Sequence, residues 1–241
     1  MKHLIIPDVH DKIEIVERIL DQESFDQLTF LGDFFDDFTT GVKEAEQTAR
    51  RVKSWLDQGI CLLGNHDLCY GWGRWNAGYM CSGFTQPKAK AIHSVLDWQD
   101  WKKFKLHCWV EGETPWLITH AGFHKAFHRP AEDLRAVVDW RCEQTLKSLH
   151  GPVEIERGRG HSLLWIGQER GGRQPYGGIL WCDCEMLDPP AGVNQLCGHT
   201  PRDYVREKSG PGYRAMCIDT NLRYYAVLEE GHLTVKAVAG T

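Results

Sequence analysis

The chain has 241 residues, 42% of them hydrophobic and 25% charged, with 28 lysines and arginines against 33 aspartates and glutamates and a formal net charge of −5. No linker divides it, so one globular domain over residues 1–241 is expected, and the acidic balance excludes a broad electrostatic grip on nucleic acid. The opening MKHLIIPDVH has too short an apolar run for a signal core or a membrane span, and nine cysteines form no C-x-x-C pair, so a cytoplasmic protein with reduced thiols is expected.

Residues 2–6 (KHLII) predict a first strand ending at Pro7, and residues 11–20 predict a helix from the spacing of Ile13, Val16, Ile19 and Leu20. QLTFL at 27–31 reads as the second strand, the GVKEAEQTARRVKSWLDQG stretch as a helix closed by Gly59, and ICLL at 60–63 as the third strand. Alternation of this kind predicts an α/β sheet whose ligands bind beyond the carboxyl ends of the strands. Residues 68–105 break the rhythm with an aromatic, mostly helical insertion expected to cap the sheet edge or the site. KLHCWV and PWLITH then predict two strands and AEDLRAVVDWRCEQTLKSL a helix; residues 151–178 are Gly-rich and irregular. NQLCGHT, YRAMCIDT, RYYAVLEEG and HLTVKAV read as the closing strands.

Five strand ends carry residues of metal-ligand type: PDVH, GDFFDD, GNHD, THAG and GHT. Loops leaving one sheet edge can bring Asp8, His10, Asp33, Asn65, His120 and His199 together although they are far apart in sequence. Carboxylates, imidazoles and a neutral amide oxygen suit two adjacent divalent cations of the Mn, Fe or Zn kind, with Asp33 as the natural bridge. Two ions about 3.5 to 4 Å apart clamp a phosphate and stabilise both oxygens of an in-line displacement, so the reaction class suggested is phosphoester hydrolysis. Each motif alone arises by chance in many chains; their joint occurrence, each after an apolar run, carries the reading.

In this order the motifs resemble those of the calcineurin-like metallophosphoesterases: Asp8-Val9-His10, Gly32-Asp33-Phe34-Phe35-Asp36, Gly64-Asn65-His66-Asp67, His120-Ala121-Gly122 and Gly198-His199. The last motif lacks a second histidine two positions on, which is similar to the phosphoprotein phosphatase and bis(5′-nucleosyl)-tetraphosphatase branch rather than the nucleases. The resemblance implies a four-layer α/β/β/α sandwich carrying the aromatic helical insertion. It further implies that Asp8 and His10 bind a first metal, that Asp33 bridges, and that Asn65, His120 and His199 complete a second. His66 would protonate the leaving group, oriented by Asp36. Manganese is the expected metal, with iron, zinc or nickel as alternatives, and attack would come from a hydroxide held between the ions. The implied partner is a phosphorylated substrate, whether protein, nucleotide or small molecule, with no membrane and no strong nucleic-acid binding.

Serine/threonine phosphatases of this kind carry phosphate-holding arginines after the second aspartate of G-D-x-x-D and before G-N-H-E; here Asp37 and Leu63 stand there. Arg74, Arg129 and Arg202, each close in sequence to a motif loop, are the replacement cations considered, and Asp37 would repel a dianion if it faced the site. Cys182-Asp183-Cys184 reads as structural rather than metal-binding, since two further spaced ligands are missing. The leading expectation is a phosphatase for phosphomonoesters. A bis(5′-nucleosyl)-tetraphosphatase-like nucleotide hydrolase and a non-catalytic binding scaffold of the same fold are the alternatives.

Overall fold

Period-two alternation sets the layering. In the first strand Leu4 and Ile6 join a core beneath the helices, whereas Ile5 joins a second core with Leu31, Trp116, Ile118, Leu196 and Leu228, drawn from two sheets. The computed structural model describes residues 1–73, 77–151 and 162–240. In chain order the strands are β1 (Lys2–Ile6), β2 (Gln27–Phe30), β3 (Ile60–Cys61), β4 (His107–Val110), β5 (Trp116–Thr119), β6 (Asn194–Cys197), β7 (Arg206–Gly210), β8 (Tyr213–Cys217), β9 (Tyr224–Glu229) and β10 (His232–Ala237). The helices are α1 (Ile13–Gln22), α2 (Val42–Gln58), α3 (Asn65–Trp72), α4 (Gln86–His93), α5 (Trp98–Trp101) and α6 (Leu134–His150).

The strands form two five-stranded mixed sheets, ordered β10-β9-β1-β2-β3 and β4-β5-β6-β8-β7. In the first, β1, β2 and β3 run parallel; in the second, β5, β6 and β8 do. Packed across the shared core, with helices outside, they form the mixed α/β sandwich that the motifs imply. The outer face of β6 and β8 is closed by an irregular segment: Cys182, Cys184 and Leu187 pack on Cys197, Ala215 and Cys217, so the C-D-C cysteines are buried core.

Several elements differ from the sequence expectation. Helix α1 starts at Ile13 rather than residue 11 because Asp11 sits at φ 60° and its carboxylate accepts hydrogen bonds from Thr40 and Thr48, both at 2.7 Å. Strand β3 is two residues long, and Leu62 extends it only as an isolated bridge to Lys105. Strand β7, REKSG, is an edge strand with one buried residue and no apolar run, so no hydrophobic pattern announced it. The insertion is helical as expected. Its Trp72, Trp101 and Phe104 pack with Phe34 and Trp55, which is where much of the tryptophan goes. No helix among the described residues is long and apolar enough to cross a membrane.

Candidate metal centre and acid pair

The loops after β1, β2 and β3 meet those after β5 and β6 at the seam between the two sheets. Backbone bonds stitch them: Val9 and His10 donate to the Asp33 carbonyl at 3.1 and 2.8 Å, and Gly198 donates to the His120 carbonyl at 2.7 Å. Carboxylates close the seam, as His199 N–H donates to Asp8 Oδ1 and His66 N–H to Asp33 Oδ1, each at 2.9 Å. All six residues expected to bind metal are thereby brought together.

Their donor atoms fall into two groups that share Asp33: Asp8, His10 and Asp33, and Asp33, His120 and His199, each within 4.8 Å. Asn65 Oδ1 joins the second, 3.1 Å from His120 Nε2 and 2.8 Å from His199 Nδ1, with Asp33 Oδ2 at 3.5 Å from His120 Nε2. Outer hydrogen bonds aim the rings. His120 Nδ1 is 2.9 Å from the Leu31 carbonyl and His10 Nδ1 3.0 Å from that of Phe35; each can only donate there, which leaves both Nε2 lone pairs for the site. Burial lowers the pKa of His10, His120 and His199, which favours the neutral form a metal ligand needs. Burial, together with the charges of Asp219 and Asp33, pushes the Asp8 carboxyl up. Burial also opposes ionisation of Asp33, but the surrounding imidazoles outweigh it and hold Asp33 below the usual range.

The donor chemistry is that of a cation site: Asp8 Oδ2 is buried without a hydrogen-bond partner, and His120 Nε2, an acceptor once Nδ1 donates to Leu31, lies 3.1 Å from the amide oxygen of Asn65, itself an acceptor. The oxygen and imidazole donor set fits two first-row divalent ions with a carboxylate between them.

The backbone is shaped for this convergence. His10, Asp33, Asp36 and His199 all adopt positive φ, at 44°, 47°, 73° and 70°, conformations that cost a non-glycine residue free energy and concentrate at functional sites. Glycine is required beside two of them, since a Cβ on Gly64 would fall on Asp33 Oδ1 and one on Gly198 on Asp8 Oδ2.

His66 stands at the rim, its Nδ1 2.9 Å from Asp36 Oδ2. Burial disfavours the imidazolium, but Asp33 and the Asp36 hydrogen bond overcome it and raise the ring to about 9. Asp36 is itself fixed: Tyr70 Oη donates to Oδ1 at 2.6 Å and Lys88 Nζ lies 3.3 Å away, both buried and both from the insertion. Asp67 supports the loop, accepting from Gly64 N–H at 2.8 Å and Phe34 N–H at 2.9 Å. Tyr70 and Lys88 gave no sequence signal, because on a helix they read as packing and surface charge.

A cleft of about 440 Å³ opens over these residues. Its cationic wall is Arg170, whose Nη2 is held by Asp183 at 2.9 Å and Thr200 at 2.8 Å while its Nε has no hydrogen-bond partner. Arg170 and His199 line the same cleft, and the Arg170 charge helps, after burial and His120, to depress the His199 pKa. Arg129 and Arg202 are exposed and do not line the cleft, and Arg74 lies outside the described residues. Asp37 does not face a phosphate: it pairs with Lys12 at 3.4 Å and accepts from Thr39 N–H and Oγ1 at 3.0 and 2.7 Å. A larger cleft of about 720 Å³, beside Lys125, His128 and Tyr213, contains none of the strand-end residues.

Among solved structures, the chain is similar to a cold-active protein-tyrosine phosphatase from a psychrophilic Shewanella species, with 14% identity, TM-score 0.67, and coverage of 100% of this chain and 78% of that one. It is also similar to a serine/threonine phosphatase from Saccharomyces cerevisiae, with 12% identity, TM-score 0.53, and coverage of 100% and 80%. At these identities the likeness is one of fold. No curated protein matches the chain. The sequence profile of the calcineurin-like phosphoesterases matches residues 1–227, a span that takes in all five strand-end loops and both sheets as far as β9, and the chain belongs to that family.

Proposed function

We propose that the chain is a phosphatase that depends on two divalent metal ions and hydrolyses phosphomonoesters. The observation that carries this reading is the pair of donor groups sharing Asp33, with a His66–Asp36 pair at the rim of the same cleft. Asp8 and His10 would hold one ion and Asn65, His120 and His199 the other, with Asp33 common to both. When bound, the two ions would neutralise phosphate charge and lower the pKa of water.

The rest is the work of the chain's own groups. His66, held through Nδ1 by Asp36, presents Nε2 to the ester oxygen and gives it a proton as the bond to phosphorus breaks. Asp36 fixes the ring's orientation and charge, and Tyr70 and Lys88 fix Asp36. Arg170 takes the place of the arginines missing at Asp37 and Leu63 and steadies the non-bridging phosphate oxygens. It is the only arginine or lysine lining the cleft among the described residues, which favours one phosphoryl group over a nucleoside polyphosphate. We place this chemistry in the cytoplasm, in keeping with nine free cysteines. Hydrolysis of p-nitrophenyl phosphate, lost on chelation and regained with manganese, tests the reading; hydrolysis that survives complete chelation refutes it.

A further inference from the structure

Phe38 breaks the pattern of its own loop. Phe34 and Phe35 are fully buried, yet Phe38 is 70% exposed and turns its ring to His66, with centroids 6.3 Å apart and planes at 81°. It is not a loose side chain on a loose loop. Asp37 accepts hydrogen bonds from Thr39, Thr40 N–H donates to the Asp37 carbonyl at 3.0 Å, and Thr40 Oγ1 reaches Asp11 at 2.7 Å, so a bonded turn presents Phe38 at its tip. Met80, 39% exposed, lines the same cleft. An exposed phenyl ring and a thioether thus sit in the cleft that His66 lines, together with Arg170 and His199.

The location decides what such a surface touches. The ester oxygen that His66 protonates must come within about 3 Å of Nε2, so the group bonded to that oxygen lies beside Phe38. Resting on the phosphatase reading above, we propose that Phe38 and Met80 form a leaving-group subsite that selects aryl phosphomonoesters, of the kind a phosphotyrosine side chain presents. A ring bonded directly to the oxygen can pack against Phe38 edge-on or offset and meet the Met80 sulfur. A phosphoserine-type ester places a methylene there and offers no flat face. A nucleotide interposes its ribose and carries the base past the ring. The step balances without another reactant: the P–O(aryl) bond breaks, water forms the new bond to phosphorus, His66 supplies the proton that leaves with the phenol, and the proton that the water gives up restores His66.

The test measures kcat/KM for phosphotyrosine and phosphoserine, and calorimetric binding of phenylphosphonate and methylphosphonate, in the natural chain, Phe38→Ala and Phe38→Tyr. In Phe38→Ala the aryl-over-alkyl ratio should fall roughly 2- to 12-fold in both measurements, and Phe38→Tyr should restore it. Comparing ratios between variants cancels the intrinsic reactivity of phenols. Turnover with unchanged ratios overturns the subsite and leaves the phosphatase reading standing, as does a preference for nucleoside monophosphates over aryl esters. Phe38-dependent binding of phenylphosphonate without turnover of any ester overturns the phosphatase reading and leaves the subsite.

Discussion

Replacing His66 by Asn removes the proposed proton donor while keeping a polar side chain of similar reach. The fold should bear the change. Asp36 loses the ring at 2.9 Å but keeps Tyr70 at 2.6 Å and Lys88 at 3.3 Å, so its buried carboxylate stays paired and the cost stays near that of one hydrogen bond, about 1–2 kcal/mol. The backbone bond from residue 66 to Asp33 is also retained. Turnover should not bear it. General acid catalysis is worth about 10² to 10⁴ in rate, or about 3 to 5 kcal/mol, and that loss should appear with poor leaving groups. The assay is kcat for alkyl phosphate, phenyl phosphate and p-nitrophenyl phosphate in the natural and variant chains. The loss should be largest for the alkyl ester and shrink to about tenfold or less for p-nitrophenyl phosphate, whose leaving group departs without a proton. The alkaline limb of kcat, where activity falls as His66 deprotonates, should disappear in the variant. An equal loss on all three esters would refute the acid role.

Arg170→Ala should raise KM for phosphomonoesters about 10- to 100-fold with a smaller change in kcat, the effect of losing one charge-assisted contact; an unchanged KM would remove Arg170 from the site. Gly198→Ala should impair metal binding even though the side chain is small, since the new Cβ falls on Asp8 Oδ2; calorimetric titration with manganese reads this directly, and full affinity would count against the packing argument. Far from the site, Glu23 is surrounded by Lys2, Lys236 and Tyr225 at 2.8, 2.5 and 2.8 Å, and although burial opposes it these partners lower its pKa from 4.5 to about 2. The fold therefore prefers the ionised form, and the stabilisation is present above about 4.5 and lost as pH falls toward 2. Denaturant titration should find Glu23→Gln less stable by about 1–3 kcal/mol at pH 7, with the gap closing below pH 4; a gap independent of pH would contradict the linkage.

The strand-end residues were legible because each sits in a short motif directly after an apolar run, and parallel strands deliver their carboxyl ends to one edge whatever lies between them. Asp33 is the clearest case: the identity of the residue and its place after β2 were enough to expect a bridge, and the structure brings both donor groups to it. Arg170 was not legible. It lies in an irregular segment with no period, and its direction is set by Asp183 and Thr200, pairings that exist only in three dimensions. Asp37 shows the converse error, since its charge was visible but its direction was not, and Lys12 and Thr39 turn it from the site. The Asp37→Arg substitution that the missing arginine invites would break those bonds rather than supply a clamp. Phe38 carries no signal in the sequence; only its exposure beside His66 sets it apart.

If two ions share the Asp33 carboxylate, each chain should hold two metals, and counting metal tests it. The natural chain and Asp33→Asn, each loaded with manganese and freed of excess, can be analysed by mass spectrometry of the metal beside the protein concentration. Two equivalents per chain in the natural protein are expected, falling to one or fewer in Asp33→Asn with hydrolysis lost, because the shared charge serves both positions. A natural chain that retains no manganese, or an Asp33→Asn variant that keeps two equivalents and near-normal turnover, would contradict the assignment of the strand-end cluster as a two-metal centre.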